Sequence, residues 1–471
     1  MAHGTHACDA TVTSGTRAGD GVPEVAIRPA PETWRGLIGR ARADETARLF
    51  RRELGLPEDR PVIMSGHQAQ VWHPGILAKL LALDGAAGSL NACAAWVVVD
   101  HDDNDSLALR APYITSEGRL AVQTLGPTAQ AAPDVPACRQ PAWAAGGTFA
   151  FPAGGTPAAP GVNAGLEHIR AALARNASSS DAASQVAAAT IDLARPLAAT
   201  PVMVRATALA RTELFANVVA RMRRDPRACA DAHNAAVRAF PHDRVAPLAV
   251  DTAGGNHELP LWTIGTASGS KRNRVYANEL ETVDVLTLAP RALLLTGLMR
   301  RAGCDLFIHG TGGERYDRIT DLWLRTWLGE SLAPTAMVTA SLRLRVPGCW
   351  PSAAHIARAA WTAHRALHDP ALVGDPASAS AKRSLVERIR AARYKSRERS
   401  DLFLSLHALL DRSRREHADA LAALARDAAA MRSRAGEAGI AADRTWPFPL
   451  YEADQLLALR DAVRARFAQV P

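Results

Sequence analysis

The sequence predicts an α/β protein with an open parallel β-sheet, interrupted by insertions and followed by a C-terminal helical coiled coil. Continuous apolar runs bounded by turn residues occur at 61–66, 96–99 and 305–308, as is typical of strands buried on both faces. An apolar helical stretch at 76–83 links the first two runs and completes a strand, helix, strand unit. Apolar residues spaced alternately by three and four between 385 and 431 predict the coiled coil.

Composition limits the class of protein. Hydrophobic residues make up 48% of the 471 residues and charged residues 22%, which is ordinary for a globular chain. The net charge of +8 comes from scattered arginines, so we expect small-molecule substrates and no nucleic-acid partner. We expect no membrane partner and a cytoplasmic location, because a long apolar run and a signal peptide are both missing. The cysteines form no CxxC pair, which favours reduced thiols.

The pattern along the chain predicts four segments. The C-terminal apolar stripe fits a hairpin within the chain better than a dimer seam, although a homodimer stays open. Dense Pro, Ala and Gly indicate an inserted surface segment. The expected segments are an N-terminal leader and helix (1–54), a Rossmann-like core (55–380) with insertions at about 125–162 and 163–250, a helical coiled coil (381–435) and a C-terminal segment that returns to the core (436–471).

The first strand runs into a loop that carries His67, Gln68 and His73. His73 precedes Pro74 and Gly75, where the next helix should begin. A helix start offers unpaired backbone N–H groups and partial positive charge, and glycine lets a phosphate approach the backbone. These residues therefore predict a phosphate site in which His73 hydrogen-bonds developing charge. The alternative is an ordinary turn with proline at the first helical position.

The second strand ends in a run of acidic residues around a histidine. Asp100, His101, Asp102, Asp103 and Asp105 follow the buried strand directly. Carboxylates at this density suit a substrate amine, a ribose or a hydrated Mg²⁺, and the histidine suits a general base. The alternative is a solvated acidic turn that caps a helix. The histidine spacing typical of a zinc site on one helix is missing.

The third strand ends in a glycine-rich loop. His309, Gly310, Gly312 and Gly313 follow the strand, and Tyr316 lies on the next predicted helix. Loops of this kind bind anions through backbone N–H groups. The loop lacks the lysine of a P-loop, and its glycine spacing differs from the dinucleotide fingerprint. A purely structural tight turn is the alternative.

Two further groups carry weaker signals. The basic run from Lys271 to Arg274 would supply cations to phosphates, but a solvated turn is the preferred interpretation. His257 and Glu258 form a second candidate pair beside two glycines. Neither group follows one of the three apolar runs.

The three loops should meet in space. In open parallel sheets, ligands bind beyond the carboxyl ends of the strands, so polar clusters at three such ends should share one crevice. That expected convergence predicts an enzyme.

At these loops the chain resembles the bacillithiol biosynthesis cysteine-adding enzyme family (BshC). Ser-Gly-His-Gln at 65–68 and the following His-Pro-Gly match the family's first loop and helix start. Asp-His-Asp at 100–102 matches the end of its second strand, and the glycine loop with Glu314 and Tyr316 matches a later strand end. The resemblance covers most of residues 55–435. Residues 69–72 depart from the family's Gly-Leu-Phe, and no Lys-Met-Ser-Lys-Ser-like loop follows the third strand.

The resemblance implies a nucleotidyltransferase-like fold of the HIGH superfamily and a ligase that joins an amino acid, cysteine in the family, to the amine of glucosaminyl malate. ATP or another adenine nucleotide and Mg²⁺ are compatible cofactors, and the sequence supports no protein metal site. The candidate residues then fall into two sets. These are catalytic His73, Asp100, His101 and Asp102, and cofactor-binding His67, Gln68, Gly75, His309, Gly310, Gly312, Gly313 and Tyr316.

Two other functions stay open from the sequence. One is a non-catalytic nucleotide-binding protein that uses its helical arm to dock a partner. The other is a metal-dependent hydrolase built on the acidic run at 100–105. Nucleotide binding without turnover would favour the first, and inhibition by chelators would favour the second.

Overall fold

The computed structural model describes residues 22–38, 44–126, 134–144, 149–251, 256–348 and 352–468. Within these ranges the chain is a mixed α/β protein with a mostly parallel six-stranded sheet, which confirms the predicted class. The chain divides into two compact units. The first unit contains residues 1–117, 122–345 and 444–471, and the second contains 118–121 and 346–443.

Strands occur mainly in the first unit, and helices make up most of the second. The strands found in the described ranges are β1 (Glu24–Arg28), β2 (Val62–Gln68), β3 (Cys93–Val99), β4 (Leu109–Ile114), β5 (Leu120–Leu125), β6 (Thr156–Pro157), β7 (Val202–Arg205), β8 (Val250–Asp251), β9 (Asn256–Ile264), β10 (Arg272–Tyr276), β11 (Leu288–Pro290), β12 (Leu306–His309) and β13 (Thr335–Ser341). The α-helices there are α1 (Trp34–Ile38), α2 (Glu45–Glu53), α3 (Pro74–Leu90), α4 (Pro160–Arg175), α5 (Ala182–Ala194), α6 (Glu213–Arg224), α7 (Pro226–Ala239), α8 (Ala277–Leu280), α9 (Ala292–Leu298), α10 (Gly313–Leu328), α11 (Ala353–Ala366), α12 (Pro376–Ala391), α13 (Arg397–Glu416), α14 (Ala418–Ser433), α15 (Ala435–Ala442) and α16 (Ala453–Ala465).

The large sheet has the strand order β1, β13, β12, β2, β3, β7. The five strands from β13 to β7 are parallel, and β1 joins the edge antiparallel to β13. From β2 the chain moves outward through β3 to β7, and β12 then returns beside β2 and leads outward the other way to β13. The direction of travel therefore reverses between β2 and β12. In open parallel sheets this point opens a crevice at the carboxyl ends of the strands.

The unit of β2, α3 and β3 forms the centre of the sheet. The strands pair in parallel from Val62 with Cys93 through to Gln68 with Val99. The helix between them is apolar on nearly all sides and is buried along most of its length. It ends at Asn91, which adopts the left-handed conformation that asparagine tolerates. A helix that is hydrophobic all round belongs in a core, and this one packs against the sheet and against α16.

β12 and α10 lie on the second side of the crevice. The strand is buried throughout, and Ser65 on β2 donates a hydrogen bond of 2.8 Å to the carbonyl of Ile308. The helix is amphipathic, with Ile319, Trp323 and Trp327 among its buried residues. It packs against α7, where the rings of Trp323 and Trp327 stack at 5.7 Å. The strand and its helix therefore hold the glycine loop from both sides.

A smaller antiparallel sheet also lies in the first unit. Its central strand, β9, pairs with β8, β10 and β11. The pairing of β10 with β9 shifts register between Arg274 and Val275, which marks an irregularity in the ladder. Apolar residues of β9 and β10 join the core cluster that also contains residues of β2, β3 and α9.

The second unit is a set of helices. Helix α11 packs against α14, and α12 packs against α13 as a helical hairpin joined by residues 392–396. The unit begins before residue 381, where the predicted coiled coil starts, because α11 supplies the partner of α14. A short linker at His417 separates α13 from α14.

Some of the segments expected from the sequence lie partly or wholly outside the described ranges. Most of the predicted leader (residues 1–21), parts of the predicted insertion (127–133 and 145–148), and Cys8 and Cys349 lie outside the described residues. The four described cysteines are buried, and no disulfide joins any two of them. Among the described residues, each helix is too short or too polar to cross a lipid bilayer.

We predict that Asp305→Asn lowers the free energy of unfolding by about 3 kcal/mol. Asp305 is buried, lies 2.9 Å from a guanidinium nitrogen of Arg51, and accepts a hydrogen bond of 2.8 Å from the N–H of Val62. The substitution leaves the buried Arg51 charge uncompensated at the amino ends of β2 and β12. Urea denaturation measures the loss, with exposed Asp59→Asn as the control. Equal stability of the two variants would contradict the assignment.

Candidate functional site

One cavity of about 580 Å³ lies at the carboxyl ends of β2, β3 and β12. The loops that follow all three strands line it, so the convergence expected from the sequence is confirmed. His73, His101 and His309, one from each loop, face the same space. The charged and strongly polar side chains that line the cavity are His67, Gln68, His73, Lys79, His101, Asp102, Arg272, Arg291, His309, Tyr316 and Arg444.

Asp100 is the one predicted site residue that does not line this cavity. It is fully buried and accepts hydrogen bonds from Arg205 Nε at 2.7 Å and from the N–H of Thr207 at 3.0 Å. Burial alone would raise the pKa of Asp100, but His101, Arg205 and Thr207 together lower it to about 2. Through these hydrogen bonds Asp100 links the end of β3 to β7 and to the segment after it. The side chain of Asp100 binds Arg205 and Thr207, whereas the side chain of its neighbour His101 lines the cavity.

The start of α3 differs from the expected backbone phosphate site. His73 is the N-cap, and its Nδ1 accepts a hydrogen bond of 3.0 Å from the N–H of Gly75. The next N–H groups, of Ile76 and Leu77, donate to the carbonyl of His73. Pro74 has no N–H to offer. The helix therefore presents the His73 ring to the cavity, and in the neutral ring the hydrogen must sit on Nε2.

The start of α10 keeps backbone donors for a ligand. Its N-cap, Gly312, makes no side-chain cap, and within the described residues the N–H groups of Thr311, Gly312 and Gly313 form no hydrogen bond. These groups belong to the loop that lines the cavity. Unpaired N–H groups at the positive end of a helix are a favourable place for an anion.

The ring of His309 is held in place beneath this loop. Its Nε2 lies 2.8 Å from Asp317 Oδ2, and Asp317 is itself 3.3 Å from Arg300. A methyl group added at Gly313 would overlap the imidazole. Glycine at this position is therefore required by the close approach of His309.

Two carboxylates of the acidic loop, those of Asp102 and Asp103, bind Arg272. Asp102 accepts from Arg272 at 2.7 Å and from Gln68 at 3.2 Å, and Asp103 lies 2.5 Å from the same guanidinium. Burial opposes ionisation, yet the hydrogen bond and charge of Arg272, together with Gln68, lower the pKa of Asp102 below its ordinary value. Asp105 accepts from the backbone N–H of Leu107 and Ala108. The loop is therefore poorly arranged for a hydrolytic metal ion.

The preferred interpretation of residues 271–274 as a solvated turn is wrong for Arg272, which is largely buried. It begins β10, its side chain is 14% exposed, and it lines the cavity. Lys271 follows the expectation of a solvated turn, since it is 57% exposed and its nearest carboxylate is Asp134 at 3.6 Å. His257 and Glu258 do not line the cavity. Glu258 is buried and binds Arg291 at 2.6 Å.

Two arginines enclose the ring of Trp262. The guanidinium carbons of Arg272 and Arg291 lie 4.5 and 4.8 Å from the ring centre, both within cation–π range. Trp262 lies on β9 and, with the two arginines, forms one wall of the cavity. Sequence reasoning missed this wall, because its members are brought together only by the pairing of β9 with its neighbours.

Sequence reasoning also missed Lys79. It interrupts the apolar stretch at 76–83, and that interruption was the available signal. Its ammonium lies 2.5 Å from the carbonyl of Gly66 and 5.3 Å from the ring centre of Trp96. Burial lowers the pKa of Lys79 to about 7.

His67 shares this environment. Burial, followed by the positive charges of Lys79 and His73, lowers the pKa of His67 to about 3. The imidazole is therefore neutral at physiological pH, and it offers a hydrogen-bond donor and an acceptor but no charge. The cavity thus carries fixed positive charge on its arginines, while Lys79 titrates near neutral pH.

We predict that Lys79→Met removes a pH-dependent part of the stability. Between about pH 7 and 10 the unfolded chain binds a proton at this lysine that the folded protein has lost, so wild-type stability rises with pH there. The wild-type free energy of unfolding should gain about 1.4 kcal/mol per pH unit relative to the variant. Urea denaturation from pH 6 to 10 measures both. Parallel pH curves would contradict the buried, titrating amine.

Comparison with models of known protein families finds no match to this chain. Comparison with curated proteins finds no match either. The chemistry of the site follows from its own groups. Among the described residues they form a cavity with a largely cationic lining, backbone donors at the start of α10, and a single lining carboxylate, Asp102, on the loop after β3.

Proposed function

We propose that the protein is a nucleotide-dependent carbon–nitrogen ligase that joins the carboxyl group of an amino acid to the amine of a small acceptor. The observation that carries the proposal is the meeting of three loops, distant in sequence, at one cavity. Cysteine and glucosaminyl malate are the first substrates to test, because the loops resemble those of the bacillithiol cysteine-adding enzymes.

The topology supports a nucleotide-binding core. Counted along the chain, the parallel strands β7, β3, β2, β12 and β13 stand in the order 3-2-1-4-5. Rossmann-like sheets have this order, and they bind nucleotides where the direction of travel reverses. That point lies between β2 and β12, beside the cavity. We infer a Rossmann-like core of the nucleotidyltransferase type from this agreement.

The cationic lining supports a phosphate-bearing ligand. The N–H groups of Gly312 and Gly313 would bind phosphate oxygens at the start of α10, with the Arg444 side chain on the same cavity wall. His73 would donate from Nε2 to charge that develops on the phosphates. A nucleoside triphosphate bound here would supply the activation of a carboxyl group that amide formation in water requires.

The acidic loop supports an amine on the other side. Oδ1 of Asp102 accepts from Arg272 and from the N–H of Asp103, whereas Oδ2 accepts from Gln68 and retains a further lone pair. A substrate ammonium would bind there. His101, adjacent on the same loop, would accept the proton that the amine loses on forming the new bond. Asp100 acts as a positioning residue, because it holds this loop through Arg205.

The same contacts limit the part that a metal ion can play. Asp102 and Asp103 are both bound by Arg272, so they do not form an open pair of metal ligands. Mg²⁺ would enter this site with the phosphates of the nucleotide. In the second unit, Asp375, Glu416 and His417 form a separate group, in which Asp375 also caps α12.

One observation favours a second candidate, a non-catalytic nucleotide-binding protein that docks a partner through its helical unit. Large apolar side chains of that unit are exposed to solvent, including Trp361 at 61%, Tyr394 at 74% and Leu404 at 68%. Exposed apolar side chains of one unit suit an interaction surface where they form a contiguous patch. They are compatible with ligase activity as well, so the assay below separates the two functions.

We predict that ATP raises the melting temperature and that sustained release of pyrophosphate requires both an amino acid and an amine acceptor, since the amino acid alone gives at most one equivalent per protein. Gly313→Ala should weaken ATP binding at least tenfold, because the added methyl group displaces the His309 ring from the loop. Gly88→Ala, on an exposed and open turn of α3, is the matched control and should leave binding unchanged.

Calorimetry with ATP and a coupled pyrophosphate assay give both measurements. Stabilisation by ATP without turnover, across panels of amino acids and amines, would favour the non-catalytic candidate. A protein that no nucleotide stabilises would contradict both.

A further inference from the structure

Lysine is rare in this chain. Of 55 lysines and arginines, four are lysines: Lys79, Lys271, Lys382 and Lys395. The last three are partly or fully exposed, whereas Lys79 is 4% exposed and lines the cavity. A chain that uses arginine at nearly every basic position therefore has lysine at a buried position of its candidate site.

The surroundings of Lys79 suit a neutral amine. Its hydrogen-bond partner is the Gly66 carbonyl, a neutral acceptor to which a neutral amine can also donate. Among the described residues, no carboxylate lies within 4.0 Å of its Nζ to hold a positive charge. Arginine in this place would stay charged, whereas lysine can lose its proton.

The rest of the lining selects the charge of the ligand. Arg272, Arg291 and Arg444 face the same cavity, and Asp102 is the one acidic residue among the lining side chains described. These arginines would therefore attract a small molecule that carries a carboxylate or a phosphate. Its uncharged reactive end would be free to approach the lysine.

We propose that Lys79 is a nucleophilic amine that captures the carbonyl group of an anionic aldehyde or 2-oxo acid as an imine. The Nζ lone pair attacks the carbonyl carbon, and one Nζ proton passes to the carbonyl oxygen to give a carbinolamine. The nitrogen then loses its second proton, and the oxygen leaves as water when the carbon–nitrogen double bond forms. No oxidant or reductant takes part. The proposal does not depend on the ligation chemistry proposed above.

The titration of Lys79 agrees with this role. A pKa of about 7 gives an amine that is half neutral at pH 7. An ordinary lysine has about a thousandfold smaller neutral fraction at that pH. Buried, desolvated lysines with lowered pKa values are the ones that enzymes use to form imines.

Reductive labelling of the wild-type protein tests the proposal. The full chain is incubated with glyoxylate and sodium cyanoborohydride, and peptide mass spectrometry follows each lysine separately. At pH 7 we expect Lys79 to be modified at least tenfold faster than Lys271, Lys382 and Lys395, which serve as internal controls. Its rate should level off above about pH 7, while the rates of the other three keep rising. Labelling of Lys79 no faster than that of the exposed lysines would overturn the proposal.

Two further measurements test the choice of ligand charge and the identity of the labelled lysine. Glyoxylate should label Lys79 at least tenfold faster than uncharged acetaldehyde, whereas the surface lysines should show no such preference. Equal rates for the two aldehydes at Lys79 would overturn the selection of an anion. Lys79→Arg should abolish the fast phase, and Lys271→Arg should preserve it. Melting temperatures of the two variants show whether each is folded, and the wild-type labelling pattern decides the question if Lys79→Arg is not.

Discussion

The parallel pairing of β12 with β2 is the constraint on which the candidate site depends. The two strands are more than 240 residues apart in the chain, and Leu306, Phe307 and Ile308 pair with Ile63, Met64 and Ser65. Asp305 fixes this register at the amino ends, because its carboxylate binds both Arg51 and the N–H of Val62. A shift of one residue would turn alternate side chains to the opposite face. The glycine loop would then no longer meet the loop of His67.

Charge within the site is divided between fixed and titrating groups. Arg272 and Arg291 remain charged, and each is held by a carboxylate and by the face of Trp262. Lys79 and His67 are buried, so their pKa values fall and their charge is low at neutral pH. Keeping an amine buried reduces stability, since an apolar side chain would fit the helix better. A cost of this kind is typical of functional sites.

The local patterns of the sequence were sufficient to predict β2, β3 and β12 and the loops after them that share the cavity. They could not predict which way each side chain faces. Asp100 and His101 are neighbours, yet only His101 lines the cavity, because Asp100 is held by Arg205 on β7. Arg272, Arg291 and Trp262 come from a second sheet whose position depends on long-range contacts. Lys79 was within reach of sequence reasoning, as the single charge in the apolar stretch 76–83.

The central claim is that the loops after β2, β3 and β12 form one anion-binding crevice. A crystal structure of the protein with inorganic pyrophosphate tests it most directly. The account predicts pyrophosphate oxygens within hydrogen-bond distance of the N–H groups of Gly312 and Gly313, in a cavity that also contains the rings of His73 and His101. Loops on separate faces of the molecule, or pyrophosphate bound away from the start of α10, would contradict it.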